Sequence, residues 1–126
     1  MIRFSILTFF LVTQLGVFAQ IKKSYFGTYR GNIGSYEINT GMERIEVAAT
    51  DINIELNATS LTIKIGNTVV NGTWKLILDT KNYFLIEAKM EKQAAPEKIL
   101  IYKKRKKLFR EGIRPQPDVM LTKQKR

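Results

Sequence analysis

Residues 51–56 alternate without exception, with Ile52, Ile54 and Leu56 separated by Asp51, Asn53 and Glu55. A period of two puts the three apolar side chains on one face of a strand, whereas helical spacing would scatter them around an axis. After a turn at 57–60, Leu61, Ile63 and Ile65 repeat the pattern against Thr62 and Lys64, so the two runs predict an antiparallel hairpin. A second hairpin is predicted over 82–107. Its apolar runs, 83–90 and 98–102, flank a polar segment closed by Pro96 and lead into five consecutive cations. Phe84, Ile86, Ala88 and Met90 share one face and Tyr83 and Leu85 the other, while Ile99 and Ile101 oppose Leu100 and Tyr102. Strands apolar on both faces belong in a sheet covered on both sides, so this hairpin is expected at the centre of the core.

The remaining segments read as short strands between Gly and Asn turns. Residues 25–38 mix aromatic and β-branched residues with three glycines, which fits one or two strongly bent strands. Residues 44–49 predict a half-buried strand with Ile45, Val47 and Ala49 inward. Gly66-Asn67 and Asn71-Gly72 are turn signals around a short Val69-Val70 bridge, and 73–78 forms a strand with Trp74, Leu76 and Leu78 on one side. Leu108, Phe109 and Arg110 form a brief strand, and residues 119–121 a last edge strand. No helix of three turns can be placed after residue 19. The expected fold class is all-β, an antiparallel meander closing into a small barrel or rolled sandwich of about eight short strands.

Residues 1–19 carry one cation, Arg3, an apolar run over 4–12 and the small-residue ending Val17-Phe18-Ala19. That is the pattern of a secretory signal peptide cleaved before Gln20, and the run is too short for a stable membrane span. The expected organisation is a signal peptide at 1–19, a single β-domain at 20–122 and a basic tail at 123–126, in a protein that is periplasmic or secreted, with no transmembrane segment in the mature form.

Gly72-Thr73-Trp74-Lys75-Leu76, with Gly27-Thr28-Tyr29 near the mature start, resembles the Gly-x-Trp strand opening of lipocalin-like proteins. The whole chain resembles the small, mostly uncharacterised signal-bearing β-proteins of Gram-negative bacteria. The resemblance implies an envelope address and no particular activity.

The chain contains neither cysteine nor histidine. Disulfides, thiol catalysis, zinc-thiolate sites and imidazole bases are thereby excluded, and no metal site or cofactor is read from the sequence. Charge is distributed unevenly. Residues 20–91 balance eight cations with eight carboxylates, whereas 92–126 hold twelve cations against three carboxylates, a net +9. Such asymmetry points to an anionic partner.

The cations Lys103, Lys104, Arg105, Lys106 and Lys107, with Arg110 behind them, are the leading candidates for that contact. Alternation sends adjacent cations to both faces, so the block must project beyond the core, at a hairpin tip. It would attract anionic lipid, lipopolysaccharide or another polyanion, whereas specific nucleic-acid recognition is not expected. The competing explanation is that the run solubilises a strand end and blocks edge-to-edge pairing. Tyr25, Tyr29 and Tyr36 are candidate exposed aromatics facing a ligand, while Trp74, Phe84 and Leu85 are expected in the core. Glu87 and Glu91 share a strand face, but a surface ladder with lysines explains them as well as glycoside chemistry does. The asparagines of Asn57-Ala58-Thr59 and Asn71-Gly72-Thr73 are assigned to turns. The functional expectation is a non-enzymatic β-domain, without catalytic residues, that binds a small ligand or an anionic envelope component. A structural or assembly partner of an envelope complex is the alternative, and a carboxylate-dependent hydrolase the third.

Overall fold

The computed structural model describes residues 21–125; the expected signal peptide and its cleavage point lie outside the described residues. A short 3-10 turn at Lys23–Tyr25 precedes ten strands: β1 (Gly27–Ile33), β2 (Tyr36–Asn39), β3 (Arg44–Val47), β4 (Thr50–Leu56), β5 (Ser60–Ile65), β6 (Thr68–Asp79), β7 (Tyr83–Met90), β8 (Glu97–Tyr102), β9 (Lys107–Arg110) and β10 (Val119–Lys123). Eight of them close into an antiparallel barrel in the order β1-β10-β9-β8-β7-β6-β5-β4, while β2 and β3 form a separate hairpin. The architecture is a small antiparallel barrel, consistent with a lipocalin-like fold.

Alternation fills the barrel as the sequence pattern requires. Ile52, Ile54 and Leu56 of β4 oppose Ile65, Ile63 and Leu61 of β5 in register. Ile86 of β7 opposes Ile99 of β8, and Phe84 opposes Ile101. These residues, with Tyr29, Leu108 and Leu121, form one core cluster against which Ile65 packs half-buried, so the interior is packed with side chains.

Four expectations change. Residues 44–49 do not join the barrel, because β1 pairs directly with β4 over seven positions and leaves 34–49 as an insertion; Ile45 is exposed there instead of inward. Asn71-Gly72 is not a turn. It lies within β6, where a Cβ on Gly72 would stand 2.4 Å from the Lys89 carbonyl oxygen, so glycine permits close approach of β6 and β7. Residues 119–121 are not an edge, since β10 pairs with both β9 and β1. Finally, among the described residues no second layer covers the outer face of the β7 and β8 hairpin, and Leu85, expected in the core, is half-buried on that outer face.

The fifth departure concerns Arg110, expected beside the cationic block and found inside the barrel, almost fully buried. Its Nε donates to Glu97 Oε1 at 2.5 Å and one Nη to Glu97 Oε2 at 3.3 Å, and Glu97 is itself fully buried. Gln116 accepts from the other Nη, and Gln93 donates to Glu97 Oε2 at 2.8 Å, so the loops at 91–96 and 111–118 are tied to the pair. The parity of the strands accounts for this. Glu97 continues the inward series of Ile99 and Ile101, and Arg110 that of Leu108. Breaking such a pair strands a buried charge, so Arg110→Met is expected to lose about 3 kcal/mol or more in urea unfolding. Arg110→Met with Glu97→Met should recover most of that loss, because no uncompensated charge then remains.

Candidate cationic end of the barrel

Up-and-down connectivity gives the barrel two unlike ends. One gathers the turns at 57–59, 80–82 and 103–106 together with the segments before β1 and after β10; the other gathers the insertion at 34–49 and the loops at 66–67, 91–96 and 111–118. At or beside the first lie Lys22, Lys23, Lys81, Lys103, Lys104, Arg105, Lys106, Lys107, Lys123 and Lys125, while the strands reaching it carry the carboxylates of Asp79 and Glu55. Loops of the second end hold Glu37, Glu43, Glu46, Glu91, Glu111 and Asp118 against Arg44, Lys92 and Arg114. The fold thus converts an asymmetry along the chain into a dipolar particle.

The tip at 103–106 does project as a turn between β8 and β9, with Lys106 in the left-handed region at φ 49°. Its cations have different surroundings. The Lys103 ammonium is 2.7 Å from Asp79 Oδ1 and 4.4 Å from the centre of the Phe84 ring, so it seals the barrel mouth. Lys104, Arg105 and Lys106 are exposed and Lys107 half-buried. Arg105 and Lys106 line an open cleft of about 940 Å³ with Lys23, Lys123 and Lys125, Ser24, Phe26, Asn57, Ala58 and Gln124 completing its wall. Among the described residues five cations and no acidic side chain line it. The Lys123 ammonium donates to the Ser24 carbonyl oxygen at 2.6 Å, which joins the segments before β1 and after β10. Behind Phe26 stands Trp74, ring centres 6.5 Å apart, whose indole N–H donates to the Asn57 carbonyl oxygen at 2.9 Å. Sequence reading missed Lys23, Lys123 and Lys125 as members of a site. Lys123 and Lys125 reach the tip through the pairing of β9 with β10, where Thr122 is in register with Lys107, and Lys23 reaches it through the closure of β1 on β10.

The three tyrosines do not form an exposed aromatic set. Tyr29 is fully buried, and its hydroxyl donates to the Tyr25 carbonyl oxygen at 2.7 Å. Tyr25 packs edge-on to Phe84 at 5.2 Å, and Tyr36 is half-buried against the core. Position accounts for Tyr29: it lies on the inward face of β1, two residues from Gly31 and four from Ile33. Glu87 stands in a surface ladder, opposite Lys75 at 4.0 Å and in register with Lys98, whereas Glu91 lies exposed in the turn after β7. Among the described residues no group of three or more acidic, histidine or cysteine side chains is placed to hold a metal ion, and no helix is long and apolar enough to cross a membrane. A hollow of about 410 Å³ beside Trp74, lined by Lys75, Glu87 and Lys89 with the loop at 93–96, is of mixed charge and lacks the one-sign field of the end cleft. No protein-family model, curated protein or solved structure matches the chain.

Burial, and secondarily the neighbouring Tyr25, pushes the Tyr29 phenol well above its usual value. The folded state therefore favours the neutral phenol, and the stability linked to this group is complete below about pH 10 and lost as pH rises further. Tyr29→Phe is expected to cost about 1 kcal/mol near neutrality, from the lost hydrogen bond. It should also remove that part of the alkaline destabilisation, which urea unfolding at about pH 7 and about pH 11 measures.

Proposed function

We propose that this barrel is an exported, non-enzymatic binding domain of a Gram-negative envelope whose cationic end receives an anionic envelope component. The observation that carries the reading is the end cleft, which five cations and no acidic side chain line among the described residues. Ions of one sign gathered over a low-dielectric core create a field that concentrates anions, and several phosphate or carboxylate groups can be held at once. The competing explanation, that the run 103–107 guards a strand edge, loses its basis because the eight barrel strands close on themselves. Interior binding of a small apolar molecule is the less supported reading, since Tyr29, Ile54, Leu56, Ile86, Ile101 and Leu108 occupy the barrel. The address rests on the composition of residues 1–19.

Arg105→Ser with Lys106→Ser should melt within about 1 kcal/mol of the wild type, because both side chains are exposed. Retention on heparin should fall sharply in that variant, and wild-type affinity should drop by about two orders of magnitude between about 0.1 and 0.4 M salt if roughly four anionic groups are engaged. Lys64→Ser with Arg114→Ser removes the same charge away from the cationic end and should elute close to the wild type. Equal losses in the two double variants would show that net charge alone governs retention, and the cleft would then have no role.

A further inference from the structure

The outer wall beside the cationic tip carries an apolar row that the core does not use. Leu78 of β6 is in register with Leu85 of β7, Leu85 with Leu100 of β8, Leu100 with Phe109 of β9, and Phe109 with Met120 of β10. All five face outward, and at the row's two ends Leu78 and Met120 are each 46% exposed. Five adjacent strands make this belt about 20 Å wide. Its borders are ordered. Toward the opposite end lies the charged ladder of Lys75, Glu87 and Lys98. Toward the tip lie Tyr83 and Tyr102, in register and edge-to-face at 6.3 Å, followed by Lys107. A hollow of about 340 Å³ joins the two zones, lined by Met120, Tyr102, Asn82, Lys104, Arg105 and Lys107.

We infer that this wall docks on an anionic lipid bilayer, with the apolar belt entering the headgroup and acyl boundary while the tyrosines and the tip cations lie among the headgroups. The inference rests on the reading of the cationic end given above and specifies its partner as a membrane surface. Apolar residues bordered by tyrosine and then by cations match the polarity gradient that a bilayer presents from its acyl boundary to its headgroups. Anionic lipid complements Lys104, Arg105 and Lys107 at the belt's rim. A second copy of the chain is the less favoured occupant, because a formal net charge of +10 makes copies repel.

The test uses purified protein and vesicles of phosphatidylcholine with and without phosphatidylglycerol, alongside heparin retention. Wild type should sediment with the anionic vesicles and much less with the neutral ones. Leu78→Thr with Met120→Thr keeps strand propensity and every cation. This variant should retain its elution from heparin but bind anionic vesicles about tenfold more weakly. If its melting temperature falls, Met120→Gln alone supplies the same comparison with a smaller loss. Unchanged vesicle affinity in a folded variant would overturn the inference. Heparin retention by a wild type that never sediments with vesicles would also overturn it and leave the anion-binding cleft standing; failure on both matrices would remove the two together. A concentration-dependent wild-type dimer that the belt variant abolishes would reassign the belt to self-association.

Discussion

Closure of the sheet on itself is the constraint on which the other features depend. β1 pairs with β4 at seven positions and with β10 at two, and the Gln124 amide adds a bond to the Thr28 carbonyl oxygen at 2.8 Å. The β10 side of this seam is short and closely packed: a Cβ on Gly31 would stand 3.0 Å from the Met120 carbonyl oxygen and from Leu121, so a side chain there would have to push its neighbours aside by a few tenths of an ångström. Once the seam forms, the inward face of every barrel strand meets the same interior, and no disulfide is needed to hold the packed core. The buried Arg110 and Glu97 pair occupies the opposite end of that interior and ties two long loops to it. Such a pair adds little net stability over an apolar replacement, and its hydrogen bonds join β8 to β9 and hold those loops.

Closure also sets the electrostatics. An open sheet would leave Lys22 and Lys23, on the segment before β1, far from Lys123 and Lys125, at and beyond the end of β10. The closed barrel puts these segments side by side, next to the turn at 103–106, and thereby assembles a cleft from cations that are distant in sequence. The same geometry sends carboxylate-rich loops to the other end, so the particle presents opposite characters along its axis. An anionic surface would attract it cationic end first, and a tilt toward the wall of β6 to β10 then brings the outer apolar row against that surface beside the tip.

Most of the strand plan was legible because alternation is a direct record of which face is buried. Residues 51–56, 61–65, 84–90 and 99–101 point as their parity dictates. Where the sequence misled, one signal had two physical causes. Asn71-Gly72 carries the composition of a turn, yet the glycine is there so that two strands can touch. Apolar residues on both faces of the 82–107 hairpin signal either two covering layers or one core face and one partly exposed apolar face, and periodicity does not distinguish them. Arg110 was grouped with its charged neighbours, although the parity of Leu108 on its own strand and of Glu97 and Ile99 on the next placed opposite charges on the inner face. The site itself was half legible: the block at 103–107 announces a projecting tip, but Lys123 and Lys125 join it through the register of β9 with β10, and Lys23 only through closure.

Closure can be measured without reference to any ligand. The chain has no cysteine, so cysteines introduced at Ser24 and Gln124 are the only sites that a thiol-reactive spin label can modify. Dipolar spectroscopy on the doubly labelled protein should give a narrow distance distribution centred at about 20 Å or less, as neighbouring segments at one barrel end require. An open eight-stranded sheet would separate its edges by about 34 Å, seven inter-strand spacings. A distribution centred there, or one spread broadly across both values, would contradict the closed barrel and with it the assembly of the cationic cleft.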